Sequence, residues 1–166
     1  ALPTDHPLYI GNMGMHGNVA SNTAVSECDL LFSIGTRFND RITGKISEFA
    51  KNAKIIHIDI DAASISRNIV VDVPIVADAK EAIEKFSEIA VAPRHGTQEW
   101  VARLQALRAQ APIVMDTQGR LNPQDVIQAV NEHFPEAIVT TDVGQNQMWT
   151  TQFLQLRGRS RLLTSG

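Results

Sequence analysis

Arg37, Asp40 and Arg41 crowd together behind an apolar run and a glycine, in the stretch LLFSIGTRFNDRITG from Leu30 to Gly44. Two guanidiniums beside a carboxylate suit a phosphate or carboxylate ligand, because the planar fork of arginine meets either group with two hydrogen bonds. The run that delivers them has no polar alternation at Leu30, Leu31, Phe32 and Ile34, which predicts a strand covered on both faces in a parallel α/β sheet. Gly35 lets the backbone leave that sheet tightly, and open α/β sheets take their ligands beyond the carboxyl ends of the strands.

A second cluster precedes this one. Gly11, Gly14 and Gly17 punctuate the loop GNMGMHG ahead of a helix expected over Asn18 to Glu27. Free N–H groups at a helix amino end attract phosphate, and glycines permit close approach. The spacing is GxxGxxG, which does not meet the dinucleotide fingerprint, so an ordinary turn stays open as a reading. A third position follows on the next strand, KIIHI from Lys54 to Ile58, which ends in Asp59 and Asp61. Asp59 comes 24 residues after Gly35, where a carboxylate at a strand tip accepts hydrogen bonds from ribose hydroxyls. Asp61 reads instead as the N-cap of a short turn over Ala62 to Ser66. Asp78, after the short strand Val73 to Ala77, has the spacing of an N-cap for a helix over Ala79 to Ile89, with a ligand role still open.

These positions need elements to hold them. Residues 1 to 10 read as extended and proline-punctuated, Ile46 to Ala50 as a short helix, and the three strand-to-helix units of the first ninety residues as a parallel sheet with right-handed crossovers. AVAPRHG, residues 90 to 96, has linker composition, and Thr97 to Gln110 carries Trp100, Leu104 and Leu107 at helical spacing until Pro112 breaks it. Asn122-Pro123 opens a helix over Gln124 to His133, with Val126, Ile127 and Val130 toward a core. Ala137 to Thr141 then reads as a strand, followed by a helix through Phe153 and a further strand from Arg161 to Thr164. The expected organisation is a nucleotide-binding domain over 1–90, a linker helix over 91–114 and the start of a second α/β domain over 115–166.

Composition narrows the function classes. Of 166 residues, 43% are hydrophobic and 20% charged, an ordinary globular balance, and a formal net charge of −3 gives no reason to expect nucleic acid or an anionic membrane. RGRSR, Arg157 to Arg161, lacks interleaved aromatics and reads as a solvated loop. The single Cys28 excludes an internal disulfide framework and reads as a small buried residue rather than a nucleophile. No apolar run reaches the ~18 residues of a membrane span, and a cytoplasmic location is expected. His6, His16, His57, His95 and His133 lie far apart without metal-ligand spacing, so no intrinsic metal site is expected. The chain opens on Ala1 and closes on Thr164-Ser165-Gly166, which reads as a piece of something longer. Residue chemistry by itself reaches an α/β nucleotide-binding domain joined to an incomplete second domain.

Four stretches taken together resemble a known family. GMHG (Gly14 to Gly17), ECDLLFSIGTRFNDRITG (Glu27 to Gly44), HIDID (His57 to Asp61) and DVGQNQMW (Asp142 to Trp149) are similar, in order and over nearly the whole chain, to the large catalytic subunit of acetolactate synthases, also called acetohydroxyacid synthases. The resemblance implies a thiamine diphosphate enzyme whose middle domain is a Rossmann-like, six-stranded parallel sheet carrying FAD in a largely structural role. It implies FAD contacts at His16, Gly17, Gly35, Thr36, Arg37, Asp59, Ile60 and Asp78. It implies that Arg41 contacts the carboxylate of a second 2-keto acid, that Asp40 orients Arg41, and that Met15 lines the same channel. Val143, Gly144, Gln145 and Asn146 would touch thiamine diphosphate, with Mg bound by residues outside this chain.

The implied reaction of the complete enzyme is decarboxylation of pyruvate and condensation with a second 2-keto acid, in branched-chain amino acid biosynthesis. The implied assembly is a homodimer or tetramer with a possible regulatory small subunit, and the isolated chain is expected to be inactive. Asn39 stands where the family's usual pair begins with aspartate, Asn146 where histidine is most frequent, and Asp59 where many members have glutamate. Two other readings remain: a non-catalytic nucleotide-binding module, and another thiamine diphosphate enzyme such as a flavin-free catabolic acetolactate synthase.

Overall fold

β1 (Leu30–Ile34), β2 (Lys54–Asp59) and β3 (Val73–Val76) run parallel with β2 in the middle, in a computed structural model that describes residues 2–89, 96–116 and 118–164. The register pairs Ile34 with Ile58 and Ile58 with Ile75, which brings the three carboxyl ends level along one side of the sheet. The ladder continues one residue past each strand: the Gly35 N–H donates to the Ile58 carbonyl at 2.8 Å, and the Ala77 N–H to the Asp59 carbonyl at 3.2 Å. β-branched and aromatic residues fill these strands because they fit a pleated, packed surface.

The core of this unit, Asn22–Ala102, gathers Phe38, Ala50, Ile55 and Ile69, with Val25, Leu31, Phe49 and Val71 packed against them. Ile58 and His57 on β2 are fully buried. Removing the Ile58 side chain from water is worth about 1.5–3 kcal/mol. Phe38 packs edge-on against both Phe49 and the His57 ring, with centroids 5.8 and 5.0 Å away.

Three features differ from the sequence expectation. Leu30 and Phe32 are 51% and 43% exposed, so β1 is not covered on both faces. Leu30 and Phe32 share one face of the strand, and among the described residues that face is covered only in part: Phe32 meets Phe86 edge-on at 5.3 Å, while Leu30 stays exposed. The β1-to-β2 connection uses α2 (Asp40–Thr43) and a 3-10 turn over Ile46–Glu48 instead of one helix over 46–50. The β2-to-β3 connection is made of turns, with the Asp61 carboxylate accepting from the Ala63 N–H and the Ser64 hydroxyl. The third unit is the regular one. α3 (Ala79–Glu88) follows β3 directly, and Asp78 caps it by accepting from the Lys80 and Glu81 N–H groups at 2.8 and 3.2 Å.

The other unit combines Ala1–Ser21 with Arg103–Gly166. α1 (Val19–Glu27) and α4 (Thr97–Gln110) each contribute residues to both units. Residues 4–8, expected to be extended, form turns. α5 (Pro123–His133) opens as its sequence dictates: Asn122 accepts from the Asp125 N–H at 3.0 Å while the Asp125 carboxylate accepts from the Asn122 N–H at 3.3 Å, and proline occupies the first turn, where its missing N–H costs nothing. Val126 does not reach the core and is 49% exposed, whereas Ile127 and Val130 are half-buried. β4 (Ile138–Thr141) and β5 (Arg161–Thr164) pair in parallel, and α6 (Gln145–Phe153) packs on β4 and α5. Asn131 of α5 clasps the chain beyond α6, donating to the Phe153 carbonyl and accepting from the Gln155 N–H. The linker expected over 90–96 falls almost wholly on residues 90–95, outside the described residues.

Candidate functional site

The level strand ends make one side of a cleft of about 700 Å³, within the size range of small-molecule and cofactor pockets. Gly35 after β1, Asp59 and Ile60 at the end of β2, and Asp78 after β3 all line it, and Arg37 adds a guanidinium from the loop that follows Gly35. The sequence separates these groups by more than forty residues, and parallel pairing brings them together. Gly35 has φ +64°, the left-handed conformation in which glycine carries no steric penalty, and nothing stands within 4 Å of where a Cβ would be.

Asp59 is the most enclosed of the acids, its side chain only 11% exposed. One carboxylate oxygen accepts from the Asp61 N–H at 2.9 Å, and the other lies 3.8 Å from His57 Nε2. The His57 ring is fully buried, and among the described residues neither nitrogen has a hydrogen-bond partner. Phe38, beside it, holds φ +49° at 2% exposure. An aromatic residue adopts that conformation at a cost of about 1–3 kcal/mol, and such outliers cluster at ligand clamps.

Three lining residues were not singled out from sequence: Ser64, Arg67 and Asn68, all from the β2-to-β3 turns. Arg67 supplies the second guanidinium that had been expected from Arg41. The Asn68 amide donates to the Arg37 carbonyl at 3.0 Å and joins the two loops. The available signal was a charged and an amide side chain in a connection between neighbouring parallel strands, placed by topology at the same end as Gly35.

Asp40 and Arg41 lie on α2, are exposed, and do not line the cleft; Thr36 is half-buried between Gly35 and Arg37. Asn39 does line it, while its side chain accepts from the Ile42 N–H at 3.1 Å and caps α2. Among the described residues no ion pair joins Asp40 to Arg41.

Met15, His16 and Gly17 belong to the other unit. The loop there is closed tightly: the Gly17 N–H donates to the Gly14 carbonyl at 3.0 Å, and a Cβ on Gly17 would stand 2.3 Å from the Asn12 carbonyl oxygen. Met15 is exposed. His16 has a buried Nε2 without a partner among the described residues and borders a smaller cleft of about 210 Å³ together with Tyr9, Arg108 and Thr151. Burial pushes the Tyr9 hydroxyl above its ordinary value, partly offset by Arg108, whose guanidinium sits 5.5 Å over the Tyr9 ring.

The loop from β4 to α6 carries Val143, Gly144, Gln145 and Asn146. Gly144 caps α6 with φ +140°, Asp142 accepts from the Val143 N–H at 2.7 Å, and Asn146 accepts from the Gln147 N–H at 2.8 Å. Val143 is exposed. Cys28 donates to the Val25 carbonyl, and burial raises its thiol above the usual value, which opposes thiolate chemistry. Among the described residues no group of three or more metal-ligating side chains comes together, and no helix is long and apolar enough to cross a membrane.

The donor set of the larger cleft fits a nucleotide: two guanidiniums for phosphate, a semi-buried carboxylate for hydroxyls, and a glycine where backbone must come close. Comparison with known proteins bears on the family. The chain is 43% identical to the probable acetolactate synthase large subunit of Methanocaldococcus jannaschii, 40% to the acetolactate synthase large subunit of Cyanidium caldarium and 36% to that of Lactococcus lactis. These matches take in 97–99% of this chain and 28–29% of each relative, so the chain spans under a third of their length. Residues 1–86, which include β1 to β3 and every residue lining the larger cleft, match the family described as thiamine pyrophosphate enzyme, central domain, and the chain belongs to that family.

Proposed function

We propose that this chain carries the FAD site and part of the substrate channel of a thiamine-diphosphate-dependent acetolactate synthase. The observation that carries the reading is the convergence of Gly35, Arg37, Asp59, Ile60 and Asp78 on one cleft. In this reading Arg37 and Arg67 hold the diphosphate of the dinucleotide, Asp59 accepts from ribose hydroxyls, and Gly35 admits the ligand against the backbone. Thr36, His16 and Gly17 complete the flavin contacts. Residues 1–90 form the middle domain, 91–114 a linker helix, and 115–166 the start of the domain that takes the diphosphate of thiamine.

Thiamine diphosphate, when bound, supplies the electron sink for decarboxylating pyruvate, and the protein supplies orientation and charge. The chain's own part is to present Val143 to Asn146 to that cofactor and to place Arg41, oriented by Asp40, against the carboxylate of the second 2-keto acid, with Met15 lining the approach. Mg is held by residues outside this chain. The whole protein acts as a cytoplasmic homodimer or tetramer in branched-chain amino acid biosynthesis, with a possible regulatory small subunit.

The experiment is an absorption spectrum of the purified protein after adding FAD and removing the excess, repeated with ADP and NAD. Retained flavin absorbance supports the reading; retention of ADP or NAD alone favours a non-catalytic nucleotide-binding module, a role open to the chain because the cleft lies within a single compact unit. In the full-length enzyme, an Arg41→Ala variant with unchanged affinity for the second keto acid would refute the role given to Arg41.

A further inference from the structure

His57 lies on β2, the strand between β1 and β3. It is fully buried in the middle strand, and among the described residues neither ring nitrogen has a hydrogen-bond partner. A neutral imidazole always carries one N–H, and a buried donor without an acceptor is rare and costly. Among the described residues the one carboxylate within 4 Å of its ring nitrogens is that of Asp59, whose Oδ2 lies 3.8 Å from Nε2, beyond hydrogen-bond range but within reach of a small side-chain rotation. The two residues stand two apart on β2, so they share a face of the strand, and Asp59 alone of the pair lines the cleft. The other Asp59 oxygen is held by the Asp61 N–H. The carboxylate is thus anchored on one side and left adjustable on the side that faces His57.

We propose that His57 is a positioning residue for Asp59: when a ribose hydroxyl engages the carboxylate, Oδ2 closes onto His57 Nε2–H and is fixed for the ligand. The idea rests on the nucleotide reading of the cleft. Phe38 packs edge-on against the imidazole at 5.0 Å and restricts its rotation, with Nε2 3.8 Å from Asp59 Oδ2. Asp59 then accepts from three donors, the Asp61 N–H, His57 and the ligand, which a carboxylate can accommodate.

The test uses ADP and 2′,3′-dideoxy-ADP as probes, with affinities measured by titration calorimetry. The wild-type protein is expected to prefer ADP. His57→Phe, which keeps the aromatic packing, is expected to lose about tenfold of that preference, as for a lost hydrogen bond to a charged group, while His57→Gln, which places an amide N–H near Nε2, restores most of it. An unchanged preference in His57→Phe overturns the proposal, as does an equal loss in both variants. A wild-type protein that binds neither probe, or both alike, overturns the nucleotide reading itself. Independently of any variant, 15N NMR of the wild-type imidazole should show a His57 ring-nitrogen signal shifted by ADP and not by the dideoxy analogue; a signal that ADP leaves in place also overturns the proposal.

Discussion

The Asn68 side chain donates to the main-chain carbonyl of Arg37 at 3.0 Å, so the turns after β2 and the loop after β1 are bonded to each other across the cleft that both of them line. The bond fixes the backbone from which Arg37 projects. Asn68→Ala should therefore weaken FAD or ADP binding by about fivefold, the equivalent of about 1 kcal/mol, with little change in global stability because Asn68 is exposed. Calorimetric titration paired with a denaturant melt checks both halves.

Asp78 has two possible employments, and two substitutions separate them. Asp78→Ala removes the acceptor for the Lys80 and Glu81 N–H groups and should destabilise the protein by about 1 kcal/mol. Asp78→Ser keeps a capping oxygen and should preserve stability. If nucleotide affinity falls in Asp78→Ser while the melt is unchanged, the carboxylate serves the ligand as well as the helix.

Gly17→Ala should be among the most damaging small changes. The added methyl would stand 2.3 Å from the Asn12 carbonyl oxygen and 2.9 Å from main-chain atoms of Met13, none of which can swing away as a side chain would. The Asn12 carbonyl also accepts from the Asn18 N–H and the Ser21 hydroxyl, so displacing it disturbs the start of α1. A loss of about 1–3 kcal/mol is expected, read as a lower urea midpoint at unchanged slope.

Acid stability should depend on Asp72. Its carboxylate accepts from Lys54 Nζ and from the Ile55 N–H, each at 2.8 Å, and these contacts, Lys54 first, hold its pKa below the ordinary value. A depressed carboxyl pKa contributes stability that is present above the unfolded-state value of about 3.9 and is lost as pH falls through the lower folded value. Asp72→Asn should flatten the fall of the urea midpoint in that acid range. The same contact raises the Lys54 ammonium above its usual value, a contribution present below about 10.4 and lost as pH rises through the folded value.

Local chemistry was readable wherever one residue's geometry decided the outcome. Asp78 and Asn122-Pro123 announce helix starts because capping is a short-range bond, and Gly35 marks the exit from β1 because left-handed backbone favours glycine. β1, β2 and β3 show as apolar runs bounded by polar turns. Exposure was less readable: Leu30 and Phe32 belong to an uninterrupted hydrophobic run, yet what packs on their face of the sheet decides whether they are covered, and that is a property of the tertiary fold. Arg67 illustrates the same limit for the cleft, since nothing local distinguishes it from Arg41. Only the level strand ends and the turn-built connection after β2 select which guanidinium lines the cleft. His57 offers no metal-ligand spacing in the sequence, and its burial beside Asp59 is set by strand alternation and the Phe38 ring, which spacing does not show.

β1 pairs with β2 on one side, and its other flank forms the margin of the three-stranded sheet. Among the described residues that flank is an unpaired row of main-chain donors and acceptors, and the strand itself, LLFSI, contains no lysine or proline of the kind that blunts sheet margins elsewhere. Such a margin is a template for a further strand, and a net charge of −3 does little to keep a second molecule away. Concentration or warming should recruit the same strand of a second molecule, and a lysine in place of Leu30 should raise the concentration at which the solution turns turbid.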